Sequence, residues 1–509
     1  MSQVKIVPVP QAFTPAPGDA WRATPNMRLC ITTDTESATF TSIAATLRQA
    51  TGFPCPIVTE PARPTDISWK LAPVRTLTSQ TSSPETYVII SSTAGVTVIG
   101  ASPVAWLRAT ATLCQCLTTG TLEAGRLLDY PKLDERRVLV DAGRKFITKD
   151  WFITMLHELA FLKINTLQLH FADRLGFHIA CDTDPSLTSP DYLTKADVRD
   201  LLAEAKRCGI TIVPSLDVPG HADHILTVHP ELGQRDVAGR HATDALDLTD
   251  PAVTRYVFAL ITEYLDLFAD CPSFHFGGDE YMEFDCPPFE HQYAPVLNAY
   301  AKEHLGPGTT WKDVWANWLN QVAELIHAHG VEPRIFNDGL CWDVRGIHGA
   351  PQQIRMHPYI GVDYWCQAEL NPAIATVAEL QAQGLTRLYN LNSPFFYYAL
   401  RHPDSAADHR PLHRFDFPEQ AANIYENWTP GNFQANDLPD DDPRILGACL
   451  SMWTDNPTVA TESTMARDIQ PELAVFASKT WNVDTNHQYT YPQFQSIVQS
   501  VGHSPGYPF

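Results

Sequence analysis

The sequence predicts an α/β protein, a (β/α)8 TIM barrel preceded by a small α+β domain. Two observations carry this. From about residue 136 onward, short apolar runs alternate with amphipathic stretches, the pattern of parallel β/α units, and there are eight such runs. The first 130 residues differ: they are rich in Pro, Thr and Ser and hold strand-like pieces with one clear helix. The expected division is 1–130 for the small domain, 131–482 for the barrel and 483–509 for a C-terminal extension.

In the first domain, Thr86–Ile90 and Gly95–Gly100 read as strands. Pro103–Leu117 reads as a helix, with Ser102 as its N-cap and Pro103 in its first turn. Asp129–Glu135 reads as a linker. The eight barrel strands are expected at Arg137–Gly143, Thr166–Ala172, Thr211–Asp217, Ser273–Gly278, Arg334–Asp338, Ile360–Cys366, Thr386–Asn392 and Gly447–Thr454. Helices are expected between most of them, at Asp150–Leu162, Thr194–Arg207, Val253–Asp270, Val314–His329 and Ala373–Gln383. The longest gap, Pro394–Leu446, is expected to be an elaborated loop over one rim.

Bulk properties exclude several function classes. The formal net charge of −22 argues against nucleic acid and against anionic membrane surfaces, which need cation-rich faces. No run of eighteen apolar residues occurs, and the N-terminus lacks the apolar core of a signal peptide. A cytoplasmic chain is expected; a secreted protein whose leader has been removed is the alternative. The eleven cysteines form an odd count without a framework spacing, so free thiols and a reducing compartment are expected.

In a barrel, chemistry sits at the C-terminal ends of the strands. The polar residues there are Asp141 and Arg144, His170 and Asp173, Asp217 and His221, Asp279 and Glu280, and Asn337 and Asp338, in strand order. Tyr364 and Trp365, Asn390 and Asn392, and Trp453 and Asp455 follow. Carboxylates and an arginine bind hydroxyls, and aromatic faces stack on sugar rings. This rim suits a carbohydrate. Its sharpest feature is Ser273-Phe-His-Phe-Gly-Gly-Asp-Glu280, a strand, two glycines and two adjacent carboxylates. Mutual repulsion is expected to leave one of the pair protonated near neutral pH, as a general acid requires.

These motifs, taken together and in order, resemble glycoside hydrolase family 20, the β-N-acetylhexosaminidases. Asp141-Ala-Gly-Arg-Lys145 resembles its D-x-x-R-H segment, and Leu167-Gln-Leu-His-Phe-Ala-Asp173 its H-L-x-D strand end. Val213-Pro-Ser-Leu-Asp-Val-Pro-Gly-His221 resembles P-E-x-D-x-P-G-H, His275-Phe-Gly-Gly-Asp-Glu280 resembles H-x-G-G-D-E, and Ser451-Met-Trp-Thr-Asp455 resembles the closing W-x-E. The resemblance implies roles. Glu280 would be the general acid/base and Asp279 would position the substrate's acetamide group. Arg144 and Asp455 would hold sugar hydroxyls, and Asp173 and His221 would form a network behind Glu280. Trp365 and Trp453 would wall the pocket, with Phe336 in place of a family tryptophan. Phe395-Phe-Tyr-Tyr398 offers two candidates for an acetamide-binding tyrosine, of which Tyr397 is preferred. Arg174-Leu175 stands where the family usually has Asp-Gln, and Asp455 replaces the commoner Glu. The Gly-Arg-Lys and Trp-x-Asp variants resemble the branch that contains lacto-N-biosidases.

The expected activity is retaining exo-cleavage of terminal β-linked GlcNAc or GalNAc from a glycan or glycoconjugate. The acetamido oxygen of the substrate would act as nucleophile through an oxazolinium ion. Asp279 and Glu280, adjacent on one strand end, are ill placed to flank a sugar from opposite faces as an ordinary retaining pair does. No cofactor and no metal are expected: His221 and His224 alone lack a third ligand at the first strand end. The competing readings are a lacto-N-biosidase releasing a disaccharide, a non-catalytic carbohydrate-binding barrel, and a metallohydrolase on the same fold.

Overall fold

The computed structural model describes residues 5–31, 37–118, 120–282, 284, 286–366, 371–400, 417–433 and 437–509. The N-terminal part is a seven-stranded mixed sheet in the order Ala12–Pro15, Gly125–Asp129, Tyr87–Ser92, Gly95–Gly100, Ile67–Leu71, Leu29–Ile31, Ile57–Val58. Helices α1 (Ser37–Thr51) and α2 (Pro103–Leu117) pack together, and α2 lies against the sheet. The Ser102 hydroxyl accepts the Ala105 N–H, as an N-cap should. Several of the other strands are only two to five residues long. Runs that short show no readable alternation, so five strands of this sheet are not legible in the sequence; α1 is a further element not placed from the sequence.

Eight parallel strands follow: β1 (Glu135–Asp141), β2 (Thr166–Asp173), β3 (Thr211–Val218), β4 (Ser273–Gly277), β5 (Glu332–Phe336), β6 (Gly361–Tyr364), β7 (Arg387–Asn390) and β8 (Ile445–Trp453). Each pairs with the next, and β8 pairs with β1 in the register Glu135↔Gly447 to Val140↔Met452, which closes the barrel. All eight lie where the sequence placed them. The outer helices include α3 (Lys149–Phe161), α4 (Lys195–Cys208), α5 (Pro251–Leu267), α6 (Ala294–His304), α7 (Trp311–Ala328) and α8 (Val377–Ala382). Capping boxes at Thr194/Asp197 and Thr310/Asp313 start α4 and α7, and Gly209 ends α4 in the left-handed region at φ 65°.

The Pro394–Leu446 gap is more than a loop. Residues 401–416 and 434–436 lie outside the described residues, but the remainder holds a strand, Tyr397–Ala399, parallel to β8. It also holds helix α9 (Phe417–Asn427), which packs on α10 (Gln470–Trp481). Ala421, Ile424, Tyr425 and Trp428 are all buried, at i, i+3, i+4 and i+7. The period was present in the sequence and was missed. After the barrel, α11 (Tyr491–Val501) closes over α9, with the Phe494 ring 4.9 Å from Tyr425.

Period-2 alternation fills the barrel lumen in layers. Glu135, Arg137, Leu139 and Asp141 climb its inner wall on β1. At the bottom, Glu135 takes both Nη atoms of Arg334 at 2.7 and 2.8 Å. Above it, buried Arg137 donates to Asp363 and to Gln168, each at 2.6 Å. Leu139, Phe336, Tyr389, Cys449 and Trp453 pack together in the lumen, with Tyr389 stacked on Arg334 at 4.0 Å and Trp453 towards the rim. Paired, hydrogen-bonded charges of this kind hold side-chain orientation more than they add stability.

Candidate active site

The β4 strand ends at Gly277 with φ 75°, and Gly278 follows at φ 79°. Both conformations favour glycine, and space forbids a side chain as well. A Cβ on Gly277 would lie 1.7 Å from Asp217 Oδ1, and one on Gly278 2.4 Å from Ile335 Cδ1. This double turn aims Asp279 and Glu280 at the rim. Glu280 itself sits at φ 43° and His221 at φ 51°. Non-glycine residues in the left-handed region store strain and cluster at functional sites.

The two carboxylates meet different surroundings. The Asp279 side chain is 10 % exposed, and its Oδ1 has no hydrogen-bond partner among the described residues. Glu280 is 44 % exposed, with Oε2 3.2 Å from His221 Nε2 and 3.9 Å from Arg174 Nη2. Buried His221 connects them. Its Nε2 lies 3.8 Å from Asp279 Oδ2, and its Nδ1 lies 3.2 Å from Asp173 Oδ1, 3.8 Å from Asp217 Oδ2 and 3.1 Å from Arg144 Nη2. Burial opposes a charge on His221, but the carboxylates of Asp279 and Asp173 outweigh it and hold the imidazole protonated well above its ordinary range.

Arg144 anchors the other side. Its Nη1 donates to Asp141 Oδ2 at 3.0 Å and reaches Asp173 Oδ2 at 3.1 Å, while its Nε lies 4.0 Å from Asp455 Oδ1. Asp141 also accepts the Gly143, Arg144 and Thr454 backbone N–H groups, tying the ends of β1 and β8 together. A register shift after His170 on β2 turns both His170 and Asp173 inward, and His170 Nε2 bonds Asp173 Oδ2 at 2.7 Å. His170 is therefore part of the network. Asp141, His170 and Asp173 bring three donor atoms within 4.8 Å of one another, as do Asp173, Asp217 and His221. In both groups the carboxylates already face a cation, Arg144 or His221, which fits a charge-paired network.

Aromatic residues line the site. Arg144 lies over the Trp453 ring at 5.2 Å, and Tyr397 packs beside Trp453 at 6.2 Å. Trp365 is held from two sides: its backbone N–H donates to Asn337 Oδ1 at 2.7 Å and its indole N–H to Asp338 Oδ1 at 2.9 Å. Phe336, 1 % exposed, sits under the floor, 4.2 Å from His275 and 6.0 Å from Trp453. Beside Glu280 a cavity of about 190 Å³ is lined by Asp338, Trp342, Trp365 and Phe284 among others. Tyr397 and Tyr398 alternate about their strand. Tyr397 joins the Trp453 cluster, while Tyr398 is buried in the larger core near Glu472. Tyr397→Phe should therefore lower kcat by at least about tenfold if its hydroxyl orients the substrate, each tenfold being about 1.4 kcal/mol. Tyr398→Phe should leave steady-state kinetics close to wild type.

Glu280 is not the raised carboxyl that the sequence led one to expect. Burial would raise Glu280, but the hydrogen bond and charge of His221 hold it below the ordinary carboxylate range. The raised carboxyls are Asp217, pushed well up by burial and by Asp279, and Asp338, pushed up to about 8 by burial and by Asp279. Asp338 lines the cavity beside Glu280. It accepts the Glu280 backbone N–H at 2.9 Å together with the Trp365 indole. Asp217, Asp338 and Arg174 are functional neighbours that motif reading left without roles. The pH dependence follows. Asp338 is neutral below about pH 8 and ionises beside Asp279 and Glu280 above it. Activity should fall through an alkaline limb near pH 8, and Asp338→Asn, which cannot ionise, should remove that limb from a kcat/KM profile. Persistence of the limb in the variant would assign it to another group.

The sequence model described as "Glycosyl hydrolase family 20, catalytic domain" matches residues 135–484. The chain belongs to glycosyl hydrolase family 20. The model of that family's domain 2 matches residues 3–130. This family 20 chain is 26 % identical over 416 residues to the lacto-N-biosidase of Bifidobacterium bifidum, covering 80 % of this chain and 34 % of the relative. It is 35 % identical over 159 residues to β-hexosaminidase subunit A1 of Dictyostelium discoideum, covering 30 % of each. The chain thus spans about a third of the length of these curated relatives. Among solved structures, the chitobiase of Flavobacterium johnsoniae superposes with a TM-score of 0.74 at 22 % identity, covering 98 % of this chain and 72 % of that one. The β-N-acetylhexosaminidase of Bacteroides fragilis superposes with a TM-score of 0.74 at 17 % identity, covering 98 % and 96 %. These likenesses are of fold.

Proposed function

We propose that the chain is a retaining exo-β-N-acetylhexosaminidase that cleaves terminal β-linked GlcNAc or GalNAc from glycans by substrate-assisted catalysis. The observation that carries this reading is Asp279: a nearly buried carboxylate whose Oδ1 meets no N–H donor among the described residues, beside Asp217, which keeps its proton. An acetamide N–H would satisfy that oxygen, and an unsatisfied buried acceptor costs about 1–3 kcal/mol.

The steps balance as follows. The acetamide oxygen attacks the anomeric carbon as the bond to the leaving oxygen breaks, and Glu280 gives that oxygen its proton. Asp279 holds the acetamide N–H and stabilises the charge of the oxazolinium ion. Water then attacks the same carbon as its bond to the acetamide oxygen breaks and the acetamide is restored, Glu280 takes the water proton, and two inversions leave the configuration retained. In the open site Glu280 is ionised. A bound sugar covers its exposed carboxyl, and desolvation raises it towards the acid form. His221, protonated 3.2 Å away, holds Glu280 in place. Arg144 and Asp455 lie where they would bind sugar hydroxyls, and Trp453, Trp365 and Tyr397 where they would enclose the acetamide.

A second reading, release of a lacto-N-biose disaccharide, is favoured by Asp455. Its side chain is 47 % exposed and stands 4.0 Å from Arg144 Nε. Being one methylene shorter than Glu, it leaves room at the rim. One panel tests both readings: nitrophenyl β-glycosides of GlcNAc, GalNAc, lacto-N-biose and plain glucose. The exo reading expects turnover of the first two, very poor turnover of the glucoside, and strong inhibition by a thiazoline analogue of the intermediate. Selective turnover of the lacto-N-biose glycoside, lost in Asp455→Glu, would favour the disaccharide reading. Rapid turnover of the plain glucoside with weak thiazoline binding would overturn substrate assistance.

A further inference from the structure

The second face of the barrel wall holds a group of ligands unrelated to the rim. Helices α3 and α4 pack side by side beneath the helices α1 and α2 of the N-terminal part. Between these layers lies a cleft of about 250 Å³, with Thr46, Leu107, Cys114, Phe161 and Pro505 among its walls. His157 of α3 and Glu204 and Cys208 of α4 line the same cleft. None of them belongs to the strand ends that form the candidate active site.

Glu204 and Cys208 are four residues apart, so they share one helix face. His157 Nε2 lies 2.7 Å from Glu204 Oε1, and Cys208 Sγ lies 3.9 Å from the same oxygen. The three donor atoms are all within 4.8 Å of one another. The second oxygen of Glu204 is held by Arg207 Nη1 at 2.8 Å, which leaves Oε1 turned towards the other two donors. An outer partner that fixes a ligand carboxylate in this way is a recurring feature of metal sites.

We propose that His157, Glu204 and Cys208 form a binding site for a borderline-soft divalent cation of the zinc type, opening onto the cleft between the N-terminal part and the barrel. One imidazole nitrogen, one thiolate and one carboxylate oxygen are the donors zinc takes, whereas magnesium and calcium require oxygen sets. Zinc bonds of about 2.0–2.3 Å need modest changes in the present separations, which rotation of the half-buried His157 side chain can supply. Three protein ligands leave a fourth position for a water or small anion from the cleft.

Burial, followed by the Glu204 charge, pushes the Cys208 thiol up to about 12. Binding must therefore displace its proton: a sulfur–metal bond forms, the S–H bond breaks, and one proton leaves to solvent. Affinity should rise with pH. The charged and titratable groups facing this thiol are Glu204 and Arg207 from its own helix, His157 from α3 and Arg108 from α2.

The full chain, reduced and stripped with chelator, would be titrated with Zn2+ against a chromophoric zinc indicator. One saturable equivalent is expected. Cys208→Ser and His157→Ala should each weaken it at least about 100-fold, the upper end of what outer-shell changes alone produce. With Co2+, the unaltered chain should show a thiolate-to-metal charge-transfer band that Cys208→Ser removes. Glycosidase activity should survive both substitutions, which reports that the variants fold. No saturable zinc in the unaltered chain, no thiolate band with Co2+, or wild-type affinity in both variants would each overturn the proposal, the last by assigning the metal to other residues.

Discussion

Glu280→Gln should nearly abolish hydrolysis of glycosides with poor leaving groups, by about 10²–10⁴ in kcat, the usual contribution of a positioned general acid. Glutamine matches the size of Glu280 and can still accept from His221 Nε2–H, so the loss reports the missing proton. Glycosides with activated aryl leaving groups need little protonation and should lose much less in the first step. The measurement is kcat/KM for an unactivated disaccharide beside a nitrophenyl glycoside. Equal losses on both would remove Glu280 from the acid role and leave it as a structural member of the His221 network.

Asp279→Asn should lower kcat by about 10²–10³, the scale of a lost charge stabiliser at a reacting centre. The geometry makes this residue hard to replace. Its carboxylate lies near protonated His221 and beside Asp217, whose raised proton affinity depends partly on Asp279. An asparagine cannot balance the oxazolinium charge. The effect should fall mainly on kcat, because the pocket walls that bind the sugar are untouched. Asp279→Ala should behave similarly. Trapping of a covalent glycosyl-enzyme on another carboxylate in either variant would show that the protein, not the substrate, supplies the nucleophile.

Much of the site was legible because barrel chemistry has a fixed address. Once eight strands were placed, their C-terminal residues had to share one rim, and Arg144, Asp173, His221, Asp279, Glu280 and Asp455 do converge there. The ionisation pattern was not legible. Adjacency of Asp279 and Glu280 suggested a shared proton. Instead their side chains enter different surroundings, Glu280 beside protonated His221 and Asp279 against Asp217 and Asp338. Proton affinity depends on neighbours from other strands, and spacing along one strand says little about them. The choice between Tyr397 and Tyr398 was open for the same reason. Two consecutive strand residues point to opposite faces, and only the pairing of Tyr397–Ala399 with β8 decides which face meets Trp453.

The sequence by itself determined the repeating β/α order, the left-handed glycine turn before Asp279 and the chemical character of the rim. These are local: periodicity, backbone freedom and residue type act within a few positions. Only the tertiary structure decided that Asp338 holds Glu280 and Trp365, that Phe336 lies under the floor, and that His157 meets Glu204 and Cys208 across two helices. Those contacts join residues about 27 to 60 positions apart, set by strand register and helix packing. Register and packing are properties of the closed barrel as a whole, since one face of every strand is buried only when all eight are in place.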